Sequence, residues 1–257
     1  MRWFDTHCHL DRMPEGIKPR LAMQHAQAVG VERLVVPGVS GAPLHAARLL
    51  AISGVEVAWG VHPDYIGDYK RIGSELEPWA RARYMPVAIG ECGLDRRCRF
   101  SIEEQKEVFV WQLDLAARHR LPVIIHLVGH YQLAYDILTA LPEVPTAVLH
   151  SWSGSPEMAK RFVAAGAFVS ISGGHLRRPE KLVQLLAALP LSSLLLETDA
   201  PDMAAPSWSG FCNEPAALPE IGAAVAEKAG IAVEKLCEIL YNNSVRIFGQ
   251  GKQKQNG

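Results

Sequence analysis

Phe4-Asp5-Thr6-His7-Cys8-His9-Leu10-Asp11 opens a chain of 257 residues, preceded only by Met1-Arg2-Trp3. The apolar pair Trp3-Phe4 reads as the entry to a buried strand. Residues two apart on a strand share a face, so His7 and His9 at its carboxyl end would aim both imidazoles at one point. That is a metal-ligand geometry, and it requires partners from elsewhere in the chain.

Working outward, seven more β-rich runs follow Trp3-Phe4-Asp5: Leu34-Val35-Val36, Val55-Glu56-Val57-Ala58-Trp59, Val87-Ala88-Ile89, Val123-Ile124-Ile125, Ala147-Val148-Leu149, Phe168-Val169-Ser170-Ile171 and Leu194-Leu195-Leu196. Segments 20–29, 43–52, 102–118, 133–141, 157–165 and 180–189 carry apolar residues at three- and four-residue spacing and read as helices. Apolar strands alternating with helices predict a parallel sheet covered on both faces. Eight units in a chain of this length favour a single closed (β/α)8 TIM-type barrel. Extra C-terminal helices are expected over 215–228 and 233–248, so that 1–249 form one barrel domain and the polar tail 250–257 is disordered.

Composition narrows the function classes. With 26 Lys+Arg against 27 Asp+Glu, the net charge of -1 gives no global attraction to polyanions. Any nucleic-acid contact must then come from a local patch. No run of 18 apolar residues exists, and the amino terminus lacks the apolar core of a secretory signal. Five cysteines without a Cys-x-x-Cys pair point to a reducing compartment, so a cytoplasmic protein with no membrane association is expected. No obligate protein partner is evident.

Parallel barrels carry their chemistry at the carboxyl ends of the strands, and these ends are polar here. Strand three ends in Gly60-Val61-His62-Pro63, strand four in Gly90-Glu91-Cys92-Gly93-Leu94-Asp95, strand five in His126, strand six in His150-Ser151-Trp152-Ser153-Gly154 and strand eight in Glu197-Thr198-Asp199-Ala200-Pro201. Strands one, four, five, six and eight thus each place a His, Glu or Asp at one level of the ring, which predicts a shared metal centre. Four imidazoles (His7, His9, His126, His150) and two carboxylates (Glu91, Asp199) exceed one tetrahedral ion with an open position. They suit two divalent ions, roughly 3.5–4 Å apart, that clamp a phosphoryl or carbonyl oxygen and generate hydroxide near neutral pH. Nitrogen-rich ligation fits Zn or Mn, whereas Mg prefers oxygen; the identity stays open among the three.

In residue type, order and strand position these motifs resemble the TatD family of metal-dependent deoxyribonucleases, within the amidohydrolase-like metal-dependent hydrolases. The resemblance runs from Asp5 to Phe248 and includes Asn213-Glu214-Pro215 and Asn243-Ser244-Val245-Arg246-Ile247-Phe248. It implies that His7, His9, Glu91 and Asp199 hold one ion and Glu91, His126 and His150 the other, with Glu91 as the bridge. It further implies that Asp199 takes the proton of the attacking water, that His62 contacts the substrate phosphate, and that metal-bound hydroxide cleaves phosphodiester bonds of DNA from a strand end.

Two departures keep a second substrate class in view. Leu127-Val128-Gly129 follows His126 where members often carry a Ser-Arg-Asp-like run, and Phe211-Cys212 precedes Asn213 where a basic residue is common. With two phosphate-facing positions uncharged, the alternative substrate is a small carbonyl or phosphoester compound, cleaved in an amidohydrolase- or lactonase-like reaction on the same centre. Arg96, Arg97 and Arg99, and His175, Arg177 and Arg178, follow strands four and seven at the active face. They read first as solvated loop charges. Cys8 is expected to point away from the metal as packing, Ser151 and Ser153 lack a Gly-x-Ser-x-Gly elbow, and Glu197 reads as a support rather than a ligand.

Overall fold

The computed structural model describes residues 1–41, 46–69, 72 and 86–249. The expected disordered tail, 250–257, lies outside them. Eight barrel strands are present among the described residues: β1 (Trp3–Asp5), β2 (Val31–Val36), β4 (Val55–Val57), β6 (Ile89–Asp95), β7 (Val123–Val128), β8 (Ala147–Leu149), β9 (Phe168–Ile171) and β10 (Leu194–Leu196), the fourth of them lying downstream of the predicted Val87-Ala88-Ile89 and sharing only Ile89 with it. A short antiparallel pair, β3 (Ser40–Gly41) with β5 (Gly60–Val61), was not foreseen and sits after β2 and β4.

Parallel pairing runs β1-β2-β4 and β6-β7-β8-β9-β10. Backbone hydrogen bonds carry the sheet across both gaps. Val87 N donates to Val57 O (2.9 Å) and Gly90 N to Trp59 O (2.7 Å), joining β4 to β6. Thr6 N donates to Leu196 O (3.1 Å), His9 N to Ala200 O (2.8 Å) and Asp199 N to His7 O (2.9 Å), joining β10 to β1 beyond the formal strand ends. The ring of eight is closed by these bonds.

The helices match their predicted spans within a few residues. They are α1 (Pro19–Ala28), α2 (Ala46–Leu50), α3 (Ile102–His119), α4 (Tyr131–Thr139), α5 (Pro156–Ala164), α6 (Pro179–Ala188), α7 (Leu218–Ala229) and α8 (Val233–Phe248). Local chemistry starts and stops them. Ser101 and Glu104 form a reciprocal capping box at the start of α3, and Gly230 ends α7 in the left-handed region. No helix among the described residues is long and apolar enough to cross a membrane.

Two packing layers follow. Phe4, Val35, Ala58, Ala88, Ile124, Val148 and Leu195 cluster together, a residue from each of seven barrel strands or the segment adjoining it. Ile247 and Phe248 of α8 pack against them and plug the amino-terminal end of the barrel. A larger layer between strands and helices contains Trp3, Trp59, Phe109 and Phe162. Gly222 of α7 is required there, because a Cβ would lie 2.3 Å from the Trp3 ring. With the bottom plugged and the sides packed among the described residues, the carboxyl-terminal mouth is left open to a ligand.

Candidate metal centre

The stretch after β1 delivers His7 and His9, although the strand itself stops at Asp5. Its backbone bonds alternate between neighbours, Thr6 and His9 toward the β10 side and Cys8 to Val35 of β2, so it is held much as a strand would be. The result is the predicted convergence: His7 Nε2 and His9 Nε2 lie 3.2 Å apart. Cys8 is fully buried in the core, as its position between the two histidines implies.

Glu91 stands at the centre, and its two oxygens face different histidines. Oε2 lies 3.4 Å from His7 Nε2 and 3.6 Å from His9 Nε2. Oε1 lies 2.9 Å from His126 Nδ1 and 3.5 Å from His150 Nε2. Asp199 divides in the same way, Oδ1 at 3.7 Å from both His7 and His9 and Oδ2 at 3.8 Å from His150 Nε2. Its backbone is left-handed, φ +55°, a costly conformation for a non-glycine residue that the bond to His7 O helps hold. Each of the six residues named from the sequence is therefore brought to one place.

His62 lies beside this cluster, its ring 4.4 Å from that of His126 and its Nε2 3.9 Å from Glu91 Oε1. Donor atoms of His62, Glu91 and His126 lie within 4.8 Å of one another, as do those of His7, His9 and Glu91 and of His7, His150 and Asp199. His62 Nδ1 accepts a hydrogen bond from Asp64 N at 3.1 Å, which leaves the proton of the neutral ring on Nε2. An Nε2–H group has no lone pair for a metal but can donate to an anionic oxygen.

Two supporting carboxylates orient the histidines. Glu197, fully buried, accepts from His150 Nδ1 and from Ser151 N, both at 2.8 Å. Asp95 accepts from His126 Nε2 at 2.9 Å and is itself gripped by Arg97, whose Nη2 donates to Oδ2 at 2.7 Å and whose backbone N donates to Oδ1 at 2.7 Å. Glu197 was anticipated in this role; Asp95 was not. The signal was available, since Asp95 lies two pleat periods beyond Glu91 on a strand that continues through Asp95. Asp5, also overlooked, accepts from Thr198 N (3.0 Å) and Thr198 Oγ1 (2.5 Å) and so ties β1 to the Asp199 turn.

The arginines of the following loops are exposed, as expected of solvated charges, and two of them also have partners. Arg97 is spent on Asp95, and Arg177 Nη2 donates to Ala204 O at 3.0 Å. His175 Nε2 donates to Trp152 O at 2.8 Å while Nδ1 accepts from Ser172 N at 3.1 Å, locking the loop after β9 to the loop after β8.

The charges are strongly coupled. Burial would raise the Glu91 carboxyl, but His7, His150 and His126 outweigh it and hold it well below the usual range. Burial likewise lowers His150, yet Glu197, Asp199 and Glu91 push it up to about 10. Burial dominates at His9, down to about 3, and at His62, down to about 4. Asp199 is pushed up to about 6 by burial, against the pull of His150 and His7. Four histidines packed around two buried carboxylates, with His7 and His9 nitrogens face to face, form a donor set that fits divalent cations. They open onto a cleft of about 400 Å³ whose wall also carries Arg12, Tyr65 and Asp202.

Comparison with known proteins agrees with this geometry. The model of the TatD-related DNase family matches residues 4–249. The uncharacterized metal-dependent hydrolase YjjV of Escherichia coli K12 is 34% identical, over 96% of this chain and 98% of that protein. The 3'-5' ssDNA/RNA exonuclease TatD of Pectobacterium atrosepticum is 34% identical, over 87% of this chain and 90% of that one. The crystal structure of Escherichia coli YjjV superposes with a TM-score of 0.84 at 32% identity, covering 96% of this chain and 98% of the other. A TatD-family hydrolase from Entamoeba histolytica shares the fold, with a TM-score of 0.84 at 18% identity. The chain belongs to the TatD-related DNase family, metal-dependent hydrolases built on an eight-stranded α/β barrel.

Proposed function

We propose that this chain hydrolyses phosphodiester bonds of single-stranded DNA or RNA from a strand end, using two divalent ions held by His7, His9, Glu91, His126, His150 and Asp199. The observation that carries this reading is the division of Glu91, Oε2 toward His7 and His9 and Oε1 toward His126 and His150. A carboxylate shared by two ions would present its oxygens in this way. The relatives called 3'-5' ssDNA/RNA exonucleases supply the substrate class and the direction of attack. A donor set with four imidazoles favours Zn or Mn over Mg.

When bound, such an ion pair polarises phosphoryl oxygens and supplies a nucleophilic water near neutral pH. The side chains do the rest. Asp199, with an oxygen toward each histidine group, is the base that takes the proton of the attacking water. His62 directs its Nε2–H to a phosphoryl oxygen. Asp95 and Glu197 keep the protons of His126 and His150 on the nitrogens that face away from the ions. Residues 1–249 act as one catalytic unit, and the five free thiols suit a cytoplasmic setting.

The test loads purified protein with Mn, Zn and Mg in turn and presents a labelled single-stranded oligonucleotide, a phosphodiester model ester and a lactone in parallel. Stepwise shortening of the oligonucleotide from one end is expected, with His126→Ala reduced at least roughly 100-fold. Activity on the lactone alone would overturn the nuclease reading in favour of the carbonyl substrate.

A further inference from the structure

We infer that Arg12, held by Tyr65, is the cation that grips a substrate phosphate beside the one being cut. This rests on the nuclease reading above and extends it to how the strand is anchored. Both residues follow directly from site elements. Arg12 ends the 3-10 turn Leu10–Arg12 that continues from His9, and Tyr65 lies in the 3-10 turn Pro63–Asp68 that continues from His62. Arg12 Nη1 donates to the Tyr65 hydroxyl at 3.1 Å, and its guanidinium carbon lies 5.3 Å from the Tyr65 ring centroid. A hydrogen bond and a cation–π contact together fix the direction of a long side chain. They use one of the five guanidinium donors and leave the fork to meet an anion.

Elimination among the described residues points the same way. Of the residues lining the cleft, Arg12 is the one arginine or lysine. Neither Leu127-Val128-Gly129 nor Phe211-Cys212 offers a cation. Arg97 is paired with Asp95, Arg177 with a carbonyl, and the Arg96 stem fills the space over Gly129, where a Cβ would lie 2.9 Å from Arg96 Cδ. Arg12 forms no ion pair with a carboxylate among the described residues, so its guanidinium is not spent on a salt bridge. Asp64 and Asp202 also line the cleft and repel a polyanion. Among the described residues that line the cleft, the Arg12 wall is therefore where the phosphates of a nucleic-acid strand are attracted, which places the guanidinium on the strand.

The experiment measures binding of a fluorescent single-stranded oligonucleotide to the full chain as a function of salt, with Ca²⁺ supplied in place of Mn, Zn or Mg, alongside cleavage by the Mn-loaded enzyme. Arg12→Ala is expected to weaken binding about tenfold or more. The slope of log affinity against log salt should flatten by roughly 0.7. Arg12→Lys, which keeps the charge but not the fork, should fall between. Lys235→Ala, on α8, serves as the control for loss of one positive charge. An oligonucleotide whose single internal linkage next to the cleaved one is an uncharged methylphosphonate should bind wild type and Arg12→Ala equally. Arg12→Ala within twofold of wild type, with an unchanged slope, would overturn the assignment. Oligonucleotide binding that depends on Arg12 but leads to no cleavage would overturn the nuclease reading and leave the phosphate contact standing. No binding by the wild type would overturn both.

Discussion

Asp95→Asn tests whether the proton on His126 is placed by the protein. Asp95 Oδ2 accepts from His126 Nε2 at 2.9 Å and from Arg97 Nη2 at 2.7 Å, while Oδ1 accepts from Arg97 N at 2.7 Å. Asparagine keeps one acceptor and gains a donor. If its oxygen stays on the Arg97 backbone amide, its NH₂ group faces His126, and the ring must accept there. The proton then moves to Nδ1, the nitrogen 2.9 Å from Glu91 Oε1, which is where an ion shared with Glu91 would bind. Loss of such a supporting carboxylate costs about 10- to 100-fold in metal affinity, or about 1.4–2.8 kcal/mol. The opposite rotamer keeps His126 but sets NH₂ against the Arg97 amide, and a lost charge-assisted bond costs a comparable amount. Isothermal titration of the metal-stripped variant with Zn or Mn should show one of two sites weakened by that factor. Nitrogen-15 spectra of the imidazoles should show His126 with the proton on Nδ1. Two sites of wild-type affinity together with an unchanged Nε2–H tautomer would refute the reasoning.

Further outcomes follow from the same geometry. Glu91→Gln removes the charge that both histidine groups share, so metal analysis should return one ion or fewer per chain and kcat should fall at least about 100-fold; two retained ions would contradict the bridge. Gly93→Ala would put a Cβ 1.9 Å from the His126 carbonyl oxygen at φ +143°. The expected loss is about 3 kcal/mol, read as a Tm drop of about 6–12 °C, and a wild-type Tm would show that the strand can yield. The third outcome concerns pH. His150 is pushed up to about 10 because Glu197, Asp199 and Glu91 outweigh its burial, so the folded metal-stripped chain keeps a proton that the unfolded chain releases above its ordinary 6.5. Its stabilising contribution is complete below pH 6.5 and is lost as pH rises toward 10. Asp5, pushed by burial up to about 8, acts in the same direction over the lower part of that window. Urea unfolding of the metal-stripped chain should show falling stability across it, and a flat or rising profile would contradict the His150–Glu197 pairing.

The amino-acid sequence by itself determined the eight strands, the helices between them and the residue types at the strand ends. Those signals are local: Val123-Ile124-Ile125 is a buried strand wherever it packs, and His-x-His after a strand brings two imidazoles together whether the strand ends at Asp5 or beyond. The order of ligands along the chain was readable because a barrel sends each strand end to the same face. What only the tertiary structure decided is who faces whom. Asp95 read as the end of a polar run until β6 extended through it and set it against His126. Arg97, a solvated charge as its sequence suggests, also grips Asp95, and nothing in its own stretch announces that partner. Arg12 and Tyr65, 53 residues apart, carry no mark in either stretch that they meet over one cleft. The split of Glu91 between two pairs of histidines likewise depends on positions fixed by four strands at once. Periodicity and motif sum over neighbours in the chain, whereas hydrogen bonds and buried charges are settled by through-space distances of a few ångströms, which only closure of the barrel sets.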